Sequence, residues 1–389
     1  MRHHRPARLD YIAGIGVDRM GAVADGEARD WLRLENLDTD LPPCAEALAR
    51  TRAAIDQDAA NSYLPFVGQD HLRATAARHV STLTGVDYRP GNVVISAGGL
   101  SGILNVLLAT IEVGDEVIVT DPTYAGLLNR IRLAGGIPRQ VPLRFAPGEP
   151  WTLDREALRA SITPKTRAML LMSPSMPSGA TLDAQDWAEV AALCVAHDLL
   201  LIVDSAMERL LFDGRTVLHP AGLPGMAERC ISVGAASKEL RMIGWRVGWI
   251  VAPDALIPDI VAVSLANVVV PVGIAQEAAA IALQRSVDDL PAYVAELQRR
   301  RDMLAGELDG LPFGLPAGGW SLLLRTSDFG MSGETLAQRL LEQGVCATAM
   351  TGWGKQHGAD YIRFVYANEP AHRLAGLGSK VRAALETTT

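Results

Sequence analysis

Apolar residues fall along this chain in two rhythms. Short, nearly continuous apolar runs occupy 93–96, 116–119, 169–172, 199–204, 230–233 and 249–252. Their lack of polar alternation predicts strands buried on both faces, as in the interior of a parallel sheet. Between these runs, helical spacing marks 46–58, 70–84 and 184–197, and helix and strand alternate again through 125–171. The expected fold class is therefore α/β: some seven strands in a mainly parallel sheet, with helices on both faces, in three layers. Residues 274–309 carry a long helical periodicity with a charged break, and after Pro316-Ala317-Gly318-Gly319-Trp320 the elements become shorter. That remainder reads as a smaller α+β domain completed by the N-terminal segment. The expected division is 46–270 for the large domain and 1–45 plus 271–389 for the small one.

Composition narrows the function classes. The 389 residues are 49% apolar and 21% charged, enough for a large core and without the bias of a disordered chain. A net charge of −8, with no compensating basic block, argues against nucleic acid or an anionic membrane as partner. Arg2, His3, His4, Arg5 and Arg8 form only a short terminal cluster, which reads as a frayed tail. No apolar stretch approaches the roughly 18 residues of a membrane span, and none follows the basic start, so neither insertion nor secretion is expected. Cys44, Cys194, Cys230 and Cys346 lack metal-ligand or redox spacing and read as reduced core residues of a cytoplasmic protein.

Candidate chemistry gathers where strands end. Strand 93–96 opens into Ala97-Gly98-Gly99-Leu100-Ser101-Gly102 and then at once into a helix, which offers free N–H groups at a positive helix end to an anion. Tyr124 follows the strand that starts at 116, and Asp204 ends the apolar run 199–203. Such an aspartate either caps the next helix or faces a ligand at the carboxyl edge of the sheet. Between two apolar runs lies Ser237-Lys238, with Gly244, Arg246 and Gly248 following. Lys238 is open to two readings, a surface lysine or a reactive amine that forms a Schiff base with a carbonyl.

The order of these elements is more specific than any one of them. The Tyr63 loop, the glycine turn, Tyr124, the Pro174-to-Gly179 turn, Asp204, Lys238, Arg246 and Tyr361-Ile362-Arg363-Phe364 together resemble the fold type I, class I/II aminotransferases, over about 30–385. The resemblance implies a pyridoxal phosphate cofactor and an amino acid substrate. It makes Lys238 the Schiff-base lysine and general acid/base, with Asp204 paired to the pyridine nitrogen and Tyr124 stacked on the ring. Gly98, Gly99 and Leu100 would offer backbone donors to the phosphate, joined by Ser237 and Arg246. Arg363 would hold the substrate α-carboxylate in a fork, and Tyr63 would reach in from the neighbouring subunit of a homodimer with shared sites. The expected function is an aminotransferase. The alternatives are a lyase or decarboxylating deaminase on a bulky or S-substituted amino acid, and a non-catalytic binding module.

Departures from the family pattern fall at specific places. Met176 stands where an asparagine usually bonds the cofactor's phenolic oxygen and borders the substrate, and Met207 where a tyrosine bonds the same oxygen. Ala235 replaces a serine, and the glycine-proline signature is missing around 37–40. Thioethers donate no hydrogen bond, so losing two donors to the phenolate is expected to raise the Schiff-base pKa.

Overall fold

The computed structural model describes residues 5–386 except 13 and 27; Arg2, His3 and His4 of the basic cluster lie outside the described residues. The strands, in chain order, are β1 (Leu32–Arg33), β2 (Val93–Ser96), β3 (Glu116–Asp121), β4 (Ile137–Arg144), β5 (Thr152–Leu153), β6 (Thr166–Met172) and β7 (Leu200–Asp204). They continue as β8 (Cys230–Ala235), β9 (Gly248–Val251), β10 (Phe313–Gly314), β11 (Ser321–Arg325), β12 (Val345–Cys346), β13 (Thr348–Ala349) and β14 (Tyr361–Val365). The central sheet has the order β2-β9-β8-β7-β6-β3-β4-β5. From β8 to β4 all neighbours are parallel, whereas β9 is antiparallel to both β8 and β2. The seven expected strands are thus joined by one more, the two-residue edge strand β5, which pairs antiparallel with the half-exposed β4.

The unbroken apolar runs are explained by burial on both sides. Ile202 of β7 joins a core with the helices Gly99–Thr110, Ala125–Leu133 and Ile257–Asn267, while its neighbours Leu201 and Val203 join the core on the opposite face. Each fully buried side chain of this size contributes roughly 1.5–3 kcal/mol of transfer free energy, so the strand is held from both of its faces. The helix Ala184–Ala196 starts at Asp183, whose carboxylate accepts the N–H of Asp186 at 2.7 Å while Asp186 accepts that of Asp183 at 3.1 Å. This reciprocal cap fixes the entry from β6 into the next crossover.

The expected charged break in the long helix is absent: Gly273–Glu307 runs as one helix through Pro291. Two acids near its middle pair with neighbours, Asp288 with Arg285 at 3.6 Å and Asp289 with Arg241. Arg300 and Arg301, both buried, tie this helix to Asp40 at 2.7 Å and Asp213 at 2.6 Å.

A smaller antiparallel sheet has the order β10-β11-β14-β13. The N-terminal segment is stitched to this region: β1 pairs with β12, Leu34 donates to Cys346 O at 2.9 Å, and Val365 donates to Leu34 O at 2.8 Å. Cys194, Cys230 and Cys346 are buried and free as expected, but Cys44 is only half-buried, at the start of helix Ala45–Ile55. Among the described residues no helix is long and apolar enough to cross a membrane.

Candidate active site

Topology brings the chemistry to one edge. Because β9 returns antiparallel to β8, the connecting segment 236–247 stands at the carboxyl end of β8, beside the carboxyl end of β7 where Asp204 lies. Open α/β sheets present ligand sites at that edge. A cavity of about 180 Å³ opens there, and its wall includes Lys238, Asp204, Ser237, Arg246 and Tyr124, with Gly99 and Leu100 from the glycine turn. Leu37, Met172, Met176, Ala235 and Ile243 make the rest of the wall largely apolar.

The segment carrying Lys238 is held from several sides. Ala236 N–H donates to Val247 O at 3.0 Å and Met242 N–H to Ala236 O at 3.1 Å, closing the loop on itself. Glu239, buried next to the lysine, accepts Arg209 N and Nε, both at 2.7 Å. Arg241 adopts φ +56°, uncommon for a residue with a side chain, and is kept there by Asp289 and by the Tyr293 ring, 4.8 Å from its guanidinium carbon. Lys238 itself extends over the Trp320 indole, Nζ 4.1 Å from the ring centroid. Burial brings its pKa down to about 8, helped by the charge of Arg363 and opposed by Asp204 and Asp38. A sizeable neutral fraction near neutral pH is what a nucleophilic amine needs. Asp204 accepts Ala206 N–H at 3.1 Å and is pushed up to about 6, mainly by burial.

An anion cradle lies beside the amine. Gly98 has φ +88°, and a Cβ there would sit 2.5 Å from Nη2 of Arg246. The N–H expected of Gly98 is already given to Ser96 O at 2.8 Å, so its contribution is space, while Gly99 and Leu100 stand at the helix start. Arg246 donates through Nη1 to Ile243 O at 2.8 Å and to the Ser237 hydroxyl at 3.4 Å.

Arg363, on β14, is fully buried behind this wall. Its Nη2 donates to Glu35 O at 2.9 Å and to the Thr348 hydroxyl at 3.3 Å, whereas Nε and Nη1 have no protein partner. Desolvation lowers its pKa to about 9. The guanidinium lies over Trp353, 4.6 Å from the ring, and Trp353 also meets Tyr124 edge-on, at 5.2 Å with an interplanar angle of 60°. Two unpaired donors on a buried planar cation suit a carboxylate fork.

The remaining candidates are spread more widely. Met176 is buried on the cavity wall, its sulfur 3.3 Å from the Ser321 hydroxyl, which also donates to Pro177 O at 2.8 Å. Met207 is buried but does not line the cavity; its thioether packs beside Gly319. Tyr63 is 83% exposed, away from the cavity of its own chain.

Three participants escaped the sequence reading. Trp353 and Trp320 supply the rings beneath Arg363 and Lys238. Asp121 accepts the backbone N–H groups of Lys355, Gln356 and His357 at 2.9, 2.8 and 3.1 Å, which pins the Trp353 loop to the end of β3. Asp121 in the run Asp121-Pro122-Thr123-Tyr124 was the only signal for that anchor.

A buried amine flanked by a carboxylate, an anion cradle and an open guanidinium defines an amine-transfer type of enzyme site. The chain belongs to the aminotransferase class I and II family, whose profile matches residues 30–377. It is 36% identical to the arginine–pyruvate transaminase of Pseudomonas aeruginosa over 88% of this chain and 87% of that one. It is 31% identical to aromatic-amino-acid aminotransferase 2 of Thermococcus litoralis, over 92% and 93% of the two chains. The solved Pyrococcus protein-A1 superposes with a TM-score of 0.90 at 28% identity, covering 97% of this chain and 98% of its own. The chain is accordingly an aminotransferase-family enzyme acting on amino acids, as the motif order implied.

Proposed function

We propose that this protein moves the amino group of an L-α-amino acid to a keto acid with pyridoxal phosphate as cofactor. The observation that carries the proposal is the convergence of Lys238, Asp204 and Arg246 on one cavity, with Arg363 open behind it. The residues fit the cofactor: Gly98 leaves room for the Arg246 guanidinium, Gly99 and Leu100 stand at a helix start, and Asp204 is a buried carboxylate with one backbone donor. When bound, pyridoxal phosphate supplies a carbonyl for the amine and a ring that withdraws electrons from Cα.

In this reading each side chain has a bounded task. Lys238 Nζ would hold the cofactor and, once released, would take up the proton that leaves substrate Cα. Asp204, ionised above about pH 6, keeps a protonated ring nitrogen paired. Arg246 and Ser237 hold the phosphate. Tyr124 covers one face of the ring, while Arg363 grips the α-carboxylate and so orients Cα toward Nζ. The large domain would span 46–270 and the small one 1–45 plus 271–389, a division supported by the β1–β12 pairing. A homodimer with shared sites is part of the reading, supported by the exposure of Tyr63, which then serves a neighbouring copy. The four free cysteines support a reducing, cytoplasmic setting.

Borohydride reduction of the yellow holoenzyme, followed by peptide mass mapping, is expected to find the cofactor on Lys238. Label on another lysine would overturn the assignment. Keto acid, ammonia and thiol release followed together across amino acids would distinguish transamination from elimination.

A further inference from the structure

Trp320 is placed from both sides. The preceding turn is pressed onto the large sheet's loops: a Cβ on Gly318 would meet Leu210 O at 2.3 Å and Pro174 Cγ at 2.5 Å, and Gly319 N–H donates to Leu210 O at 2.8 Å. On the other side, Tyr366 N–H donates to Trp320 O at 3.0 Å, and the Tyr366 hydroxyl donates to Gly319 O at 3.0 Å. The indole is fully buried. Its face, rather than a carboxylate, is what Lys238 Nζ rests on.

We propose that Trp320 is a positioning residue for the amine: its indole face is the seat that Lys238 Nζ occupies whenever it is not bonded to the cofactor. The inference rests on the reading of Lys238 as the reactive amine and adds a residue through which that amine is held. An ammonium over an indole face is attracted by the ring quadrupole, most strongly where water is excluded. The other charges around Nζ come from several elements: Asp204 at the end of β7, Asp38 in the N-terminal segment, Arg246 before β9 and Arg363 on β14. Two of these are anions and two are cations, so their effects oppose one another, and the neutral ring adds a directional preference. A fixed seat returns the released amine to the same place on every turnover. It also favours the protonated form that must deliver a proton.

The test uses the apoprotein and measures how fast Lys238 is acetylated by acetic anhydride as a function of pH, read by peptide mass spectrometry. Trp320→Leu removes the quadrupole, and the midpoint for Lys238 is expected to fall by about one pH unit; Trp320→Phe, with a weaker face, is expected to fall by about half as much. The sign is diagnostic, because loosened packing alone would admit water and move the midpoint up. An unchanged or raised midpoint overturns the proposal, and if the leucine variant does not fold, the phenylalanine variant decides alone. Borohydride mapping separates this from the parent reading: trapping at Lys238 with an unshifted midpoint refutes only the seat. Trapping elsewhere refutes the parent assignment whatever Trp320 does.

Discussion

The two guanidinium groups of the site are held in opposite ways. Arg246 reaches the solvent side of the cavity, and its Nη1 is already engaged by Ile243 O and the Ser237 hydroxyl. Arg363 is wholly buried, with one backbone carbonyl and one hydroxyl on Nη2 and two further donor atoms unpaired. A partly exposed cation is stabilised by water and changes little when its anion leaves. A buried cation with open donors destabilises the fold until a carboxylate completes it. On the proposed function the cofactor side is preassembled, and the substrate side would store unfavourable desolvation that a bound carboxylate relieves.

The largest expected effect lies with the amine between these two groups. Lys238→Ala should lower turnover by about four orders of magnitude, as removal of both nucleophile and proton carrier demands; stopped-flow measurement of the amino-acid half-reaction reads it. Next comes the substrate side. Arg363→Lys keeps a charge but loses the fork, so kcat/KM should fall about 100-fold, or about 2.7 kcal/mol. Arg363→Met should be as inactive or worse, yet the apoprotein should resist urea better by about 1–3 kcal/mol, because an apolar isostere removes the buried charge. Arg246→Met should show no such gain. A gain at position 246 and none at 363 would reverse the comparison.

The pH dependence sharpens it further. Only neutral Lys238 attacks an aldehyde, and its pKa is about 8. The rate of cofactor capture by the apoprotein should therefore rise about tenfold per pH unit up to that point and level above it. Affinity for a ring-protonated cofactor should weaken as pH falls through about 6, where Asp204 becomes neutral. A capture rate still rising tenfold per unit through pH 9 would contradict the burial of the amine.

The smallest effect concerns the two methionines. Met176 lies on the wall and Met207 does not, so Met176→Asn alone should lower the pKa of the holoenzyme's visible band, and Met207→Tyr alone should leave it within about 0.2 units. Equal shifts from both would place Met207 against the cofactor.

How much of this could be read from the chain alone follows from the range of each interaction. Strands such as β7 announce themselves because both faces are buried, which removes polar residues from the run. The helix Asp70–Thr84 keeps the bounds its periodicity implied. Lys238, Asp204 and Arg246 were legible as an ordered set of motifs. The rings under Lys238 and Arg363 were not, since Trp320 is 82 residues from the amine by number and nothing in local spacing records a stack. Gly98 was misjudged at the level of a single atom: its residue type told of a tight turn, but not that its N–H was spent on Ser96. The long helix misled because charged residues interrupt its apolar periodicity in sequence, whereas in space Asp288 and Asp289 among them are paired.

The stitching of residues 32–35 to β12 and β14 bears on how the molecule is made. During synthesis the N-terminal segment emerges early, yet its acceptors at Cys346 and its donor at Val365 lie more than 300 residues later. At about 5–20 residues per second that interval is roughly 15–60 s. The Arg363 guanidinium, which leans on Glu35 O, gains that partner only after the interval closes. The large sheet can form and bury its faces during the wait, so the nascent chain passes through a period in which the edge bearing Asp204 and Lys238 exists and the seat of Arg363 does not.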